Sequence, residues 1–228
     1  MSDAPNMQTN EVQQSDAQTA QAESTPARKR PKPGERRIQI LQTLAEMLQQ
    51  PTADRITTAA LAARLDVSEA ALYRHFASKA QMFEGLIEFI EQSVFTLINQ
   101  IIEREDAAGA GTPGVGARQA ARMVAMLMQF AERNPGMARV MVGDALVFEN
   151  ERLQQRMNQF FDKIESTLKQ CLRAAPVASG SATPTVDAQV RASVIAAFIA
   201  GRLQRYVRSG FKRLPSEHLE ASLGMLLG

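Results

Sequence analysis

The chain is short of the residues from which most catalytic and metal sites are built. It has one cysteine, Cys171, and two histidines, His75 and His218. A single thiol excludes an internal disulfide and fits a reducing cytoplasm. One cysteine and two histidines are too few for a Cys/His metal cluster, and no metal or cofactor is expected. No apolar run reaches membrane-spanning length, and the polar N-terminus has no signal-peptide core. A soluble, intracellular protein is therefore expected. Strand signals are almost absent. The glycine-rich GAGTPGVG (Gly109–Gly116) lacks the Lys-Ser/Thr of a phosphate loop and follows no strand. Acid pairs such as Glu149 and Glu151 fall on exposed helix faces. The inventory gives no enzyme.

What is present is helical and unevenly charged. The net charge is only +2, but residues 1–27 hold four acids (Asp3, Glu11, Asp16, Glu23) and no base. RKRPKPGERR (Arg28–Arg37) then holds six bases and one acid. A local basic arm of this kind attracts phosphates. Residues 1–34 have no apolar period and are expected to be a disordered tail ending in that arm. Beyond it, an all-α fold is expected, in two domains at about 35–80 and 81–228.

The spacing of Ile38, Leu41, Leu44, Ala45 and Leu48 predicts a first helix over about 35–50, stopped by Pro51. Thr57 caps a second helix ending near Leu65, with Ile56 and Leu61 as a hydrophobic staple. Asp66-Val67 makes a turn. Ser68 caps a short third helix, SEAALYRHF, with Val67 and Leu72 as a second staple. Ser78 and Gln81 form a capping box that opens a long helix over about 79–105. A flexible loop is predicted at 107–116, then helices at about 117–133, 137–148, 149–173 and 186–211, and a short one after Pro215. A linker is predicted at 174–185.

Ile56 to Lys79 thus has the outline of a helix-turn-helix, whose second helix enters the major groove. Thr57, Thr58, Ser68, Glu69, Ala70, Tyr73, His75 and Lys79 are its candidate DNA contacts. Tyr73 and His75 carry donors for phosphate oxygens. Lys79 adds charge beside helix N–H groups that favour anions. Arg36 and Arg37, at the end of the arm, are placed to follow it into the minor groove. Taken singly, each of these residues is equally at home as a cap or a surface group. Their convergence within about fifty residues points to DNA.

ITTAALAARLDVSEAALYRHFASK resembles the DNA-binding domain of the TetR family, through Val67, Ser68, Leu72, Tyr73, His75, Phe76 and Lys79. The likeness continues through LIEFIEQS (Leu86–Ser93), Phe130–Phe161 and RYVRSGFKRLPSE (Arg205–Glu217), which resemble the family's nucleoid-occlusion members. That resemblance implies a homodimer on a palindromic double-stranded DNA site, with higher-order assembly on DNA. It also implies an inhibitor of cell division that contacts FtsZ and disrupts its polymers over the nucleoid. Phe89, Arg133 and Asn134 are the FtsZ-facing residues it implies. The alternative is a ligand-responsive TetR-type repressor, with the Met123, Met126, Met128 and Phe130 cluster as pocket rather than core.

Two long amphipathic stretches are the candidate dimer pair. One carries Leu153, Met157, Phe160, Phe161, Ile164 and Leu168. The other carries Val194, Ile195, Phe198, Ile199, Leu203, Tyr206 and Val207. Phe160, Ile164, Phe198 and Tyr206 are the expected interface residues. Arg202, Arg205, Arg208, Lys212 and Arg213 make the end of the second stretch basic, as complementarity to a helix dipole requires.

Overall fold

The computed structural model describes residues 34–50, 56–174 and 183–228. Most of the expected tail, Pro51 and most of the 174–185 linker lie outside them. Among the described residues the fold is all-α, with nine α-helices. They are α1 (Glu35–Leu48), α2 (Thr58–Arg64), α3 (Glu69–Tyr73), α4 (Lys79–Gly109), α5 (Val115–Arg133), α6 (Pro135–Met141), α7 (Glu151–Ala174), α8 (Pro184–Arg208) and α9 (Leu219–Leu227). A 3-10 turn, Asp144–Leu146, precedes α7. No described helix is long and apolar enough to cross a membrane.

The caps act as the side chains dictate. Thr57 Oγ1 accepts from Ala60 N at 3.1 Å, Ser68 Oγ from Ala71 N at 3.3 Å, and Ser78 Oγ from Gln81 N at 3.2 Å. Each satisfies an amide the first helical turn leaves open. Gln81 Oε1 accepts from Ala77 N at 2.9 Å, one residue before the Ser78 amide that an ideal capping box would use. The α2–α3 turn is a Schellman closure: Asp66 N donates to Ala63 O and Val67 N to Ala62 O. It places Asp66 at φ 55, a left-handed conformation that Asp tolerates better than most residues.

The helices α1 to α3 close over Leu44, Leu61, Leu72 and Phe76, which are buried against Phe83 and Leu86 of α4. Each such side chain contributes about 1.5–3 kcal/mol over its exposed state. Behind them, α4, α5, α7 and α8 pack side by side, and α6 lies against α1 on one side and α8 on the other. The contact of α6 with α1 is made backbone to backbone. A Cβ on Gly136 would stand 1.9 Å from the Ala45 carbonyl oxygen. Arg139 seals the same junction, donating to Gln50 O at 3.2 Å and to Asp144 Oδ2 at 2.6 Å.

Two expected boundaries move. α4 continues to Gly109 and α5 begins at Val115, so the loop shrinks to 110–114. The buried Glu105 explains the extension. Its carboxylate sits between Arg118 Nε at 3.1 Å and Arg122 Nη1 at 2.6 Å, which fixes the antiparallel register of α4 and α5. The expected helix over 137–148 instead starts at Pro135 and ends at Met141, leaving Val147 and Phe148 exposed in the turn before α7. Cys171 is buried, and burial first, then the nearby Asp106 charge, pushes its thiol up to about 11. It stays a neutral thiol at physiological pH.

Candidate nucleic-acid interface

The exposed face of α2, α3 and the turns beside them carries Thr57, Ser68, Glu69, Ala70, Tyr73, Arg74 and His75, with Thr58 half-buried among them. Tyr73 is 45% exposed, so its ring stands out from the surface rather than packing into it. A short network fixes this face. Thr58 Oγ1 donates to Glu69 Oε2 at 2.5 Å, and Tyr73 OH lies 3.5 Å from Thr58 Oγ1. Glu69 keeps its negative charge on this face. Bonded to Thr58, it ties the start of α3 to the start of α2.

Arg37 is not a free arm residue. Its Nη1 donates to His75 O at 3.0 Å, and its guanidinium stacks 4.1 Å above the Phe76 ring. It therefore clasps the C-terminal end of α3 to α1, the kind of planar stacking for which arginine is suited. Arg36 donates to Gln39 Oε1 at 2.8 Å along its own helix. Lys79 is also engaged. Its ammonium is bonded to Glu149, with both side chains mostly buried, and lies 5.6 Å from the Phe83 ring. Lys79, expected at a phosphate, here ties the start of α4 to the turn before α7. Its partner lies seventy residues away in sequence, so periodicity carries no sign of it.

The face of α4 towards α7 is closed. Glu84 pairs with Arg152, and Glu91 with Arg156 at 2.8 Å, a hydrogen bond that raises the Arg156 pKa further. Lys163 covers the Phe95 ring at 4.0 Å. Phe89 and Leu97 remain 40% and 37% exposed, eight residues apart on one stripe. Because Glu105 faces Arg118, the antiparallel register brings Arg133 level with about residue 90 of α4. Phe89 and the exposed Arg133 therefore share one level of the pair. Asn134 differs: its Nδ2 donates to Phe130 O at 2.8 Å, closing the end of α5.

The expected dimer residues need correction. Phe160, Ile164 and Tyr206 are 1%, 0% and 3% exposed within the single chain. They are core between α7, α8 and their neighbours, and have no surface left for a second copy. Phe198 is half-buried, with Arg202 stacked 5.0 Å from its ring. α8 has two apolar faces. Ala192, Ile195, Ile199 and Leu203 point inward, whereas Val186, Val190 and Val194 are 57%, 56% and 49% exposed, followed by exposed Ala197 and Gly201. The outward stripe repeats at four residues and was detectable in the sequence. Periodicity does not say which of two apolar faces is spoken for within the chain.

Comparison with known proteins separates the two halves and then joins them. Residues 40–86 match the profile described as bacterial regulatory proteins, tetR family. Residues 118–227 match the SlmA-like profile described as tetracyclin repressor-like, C-terminal domain. The B. subtilis regulator FadR, solved with stearoyl-CoA, superposes with a TM-score of 0.65 at 16% identity, covering 84% of this chain and 97% of that one. That likeness is one of fold. The nucleoid occlusion factor SlmA of Aliivibrio fischeri is 47% identical over 197 residues, covering 86% of this chain and 96% of the relative. SlmA of Photobacterium profundum is 50% identical over 187 residues, covering 81% and 90%. SlmA of Vibrio cholerae is 47% identical over 192 residues, covering 84% and 93%. Similar to these relatives through the DNA-binding motif and the C-terminal helices alike, the chain belongs to the SlmA nucleoid occlusion factors of the TetR family.

Proposed function

We propose that this protein is a DNA-bound inhibitor of cell division, acting as a homodimer on palindromic chromosomal sites and disrupting FtsZ polymers there. The observation that carries the reading is that the likeness to nucleoid occlusion factors continues past the helix-turn-helix and through the C-terminal helices. A division at about residue 80 suits the two tasks. The helices before it present the polar, helix-capped face of Thr57, Thr58, Ser68, Ala70 and Tyr73 to DNA. His75 lies beside them. Those after it present Phe89 and Arg133 to the partner protein. Met123 and Met128 are fully buried, and Met126 and Phe130 pack against the same core. That packing favours this reading over a ligand-responsive repressor. In a sedimentation assay with FtsZ and GTP, the protein plus its DNA site should lower the polymer yield. Unchanged yield with and without DNA would refute the reading.

The dimer face in this proposal is the outward stripe of α8, Val186, Val190, Val194 and Ala197, with Phe198 at its edge. The apolar surface of that stripe has no cover among the described residues, and exposed contiguous apolar surface marks contacts. A two-fold axis would set one stripe against its copy. Val190→Asp should convert the dimer to a monomer in analytical ultracentrifugation. It should also weaken binding to a palindromic site far more than to a half-site. A variant that remains dimeric would place the interface elsewhere.

A further inference from the structure

Beyond Gly201 the outward stripe of α8 changes character, from valine and alanine to Arg205 and Arg208, and the turn after the helix adds Lys212 and Arg213. All four are exposed. Among the described residues, none of their side chains has a hydrogen bond or an ion pair. Helix-dipole complementarity accounts for Arg205 and Arg208 in the last turn of α8. It does not account for Lys212 and Arg213, which lie beyond the helix. Four like charges close together repel one another, and Glu217 is the one carboxylate lining the same groove, so a bound anion would stabilise the arrangement.

The turn that holds them is built, not slack. Ser209 Oγ accepts from Lys212 N at 3.1 Å and Arg213 N at 2.9 Å, and donates to Tyr206 O at 2.8 Å. Gly210 and Phe211 take φ 62 and 66, and the Phe211 ring packs 5.2 Å from Tyr206. Ser216 N is anchored on Glu132 Oε1 at 3.0 Å. Two open grooves meet at Arg205 and Arg213. One, of about 360 Å³, runs along Gly201 and Gln204; the other, of about 570 Å³, runs along Lys212, Leu214 and Glu217.

We infer that this cationic double groove binds an acidic polypeptide segment in extended conformation, at a surface separate from the helix-turn-helix and from Phe89. The grooves are open and of mixed lining. Gln204 offers hydrogen bonds to a peptide backbone, and the half-exposed Leu214 (49%) offers apolar contact. The apolar Leu214 has no complement on the phosphate backbone of a duplex.

The test is fluorescence anisotropy on the full-length protein with a labelled (Glu-Ser-Gly)5 peptide, its (Gln-Ser-Gly)5 counterpart, and a duplex lacking the palindromic site. Two variants carry the same change in net charge: Lys212→Glu with Arg213→Glu in the turn, and Lys32→Glu with Arg36→Glu in the N-terminal arm. The acidic peptide should bind the wild type and the arm variant within about twofold of each other. It should bind the turn variant at least tenfold more weakly, while the glutamine peptide binds none. Lys212→Arg should retain binding. Arg205→Glu with Arg208→Glu, made in the helix, should repeat the loss if the turn variant melts early. Equal weakening by arm and turn variants would overturn the proposal as a net-charge effect. So would a turn variant that loses the duplex but keeps the peptide. Binding of the turn variant to the palindromic site should be unchanged, which separates this inference from the DNA-binding proposal.

Discussion

Phe76→Ala should cost about 3–5 kcal/mol, the range for truncating a fully buried aromatic. Phe76 is 1% exposed and lies just past the end of α3. Its ring carries the Arg37 guanidinium on one face and comes within 3.1 Å of where a Cβ on Gly85 would stand. It therefore joins α1, α3 and α4 at one point. α3 has only five residues, far below the length at which an isolated helix persists in water. Without the ring, α3 loses its largest anchor and keeps Leu72, the Thr58–Glu69 bond and the Arg37–His75 O bond. At roughly 2–4 °C per kcal/mol for a chain of this size, the melting midpoint should fall by roughly 6–20 °C. Specific DNA binding should be lost even below the new midpoint. Circular dichroism melting checks the first claim, and a shift of under about 2 °C would contradict it.

Gly136→Ala should destabilise by about 3 kcal/mol, the upper part of the range for forcing atoms into a packed site. The added methyl would sit 1.9 Å from Ala45 O and 3.1 Å from Leu48 Cβ. Neither neighbour is a flexible side-chain tip. The Ala45 carbonyl belongs to α1, and the end of that helix is held by Arg139 through Leu48 O and Gln50 O. α6 must therefore move away from α1 as a unit. Gly224→Ala is the matched control. Its Cβ would meet nothing within 4 Å, and replacing a helical glycine without strain gains about 0.5–1 kcal/mol. The two substitutions are chemically identical, so urea midpoints moving in opposite directions would isolate the contact. Equal midpoints would mean that the α1–α6 junction is more yielding than its geometry implies.

The caps of α2, α3 and α4 were legible because capping is local: Thr57, Ser68 and Ser78 each act on an amide three residues ahead. The all-α class was legible for the same reason. What escaped was tertiary. Lys79 reads as an available cation until Glu149 comes across from the turn before α7. Arg37 reads as part of a loose arm until His75 O and the Phe76 ring receive it. Phe160, Ile164 and Tyr206 read as interface because amphipathicity reports a buried face without naming what buries it. The glycine-rich 107–116 reads as loop throughout, yet Thr112 Oγ1 donating to Gly109 O at 2.7 Å and the Glu105 pairings keep the helix going to Gly109.

That continuity of α4 has a mechanical consequence. Its 31 residues run unbroken from Ser78, beside α3, to the loop that begins α5. At 1.5 Å per residue this is a rod about 45 Å long, and a tilt of about 5° at one end displaces the other by about 4 Å. The Gly85 contact with Phe76 fastens the near end to the helix-turn-helix, and the Lys79–Glu149 tie fastens it to the turn before α7. A tilt of α1 to α3 would enter α4 at this end, and the Glu84–Arg152, Glu91–Arg156 and Glu105–Arg118 pairs would carry α7 and α5 with it. Phe89 and Leu97 are carried with it as rigid cargo, without a change in their own surroundings on α4.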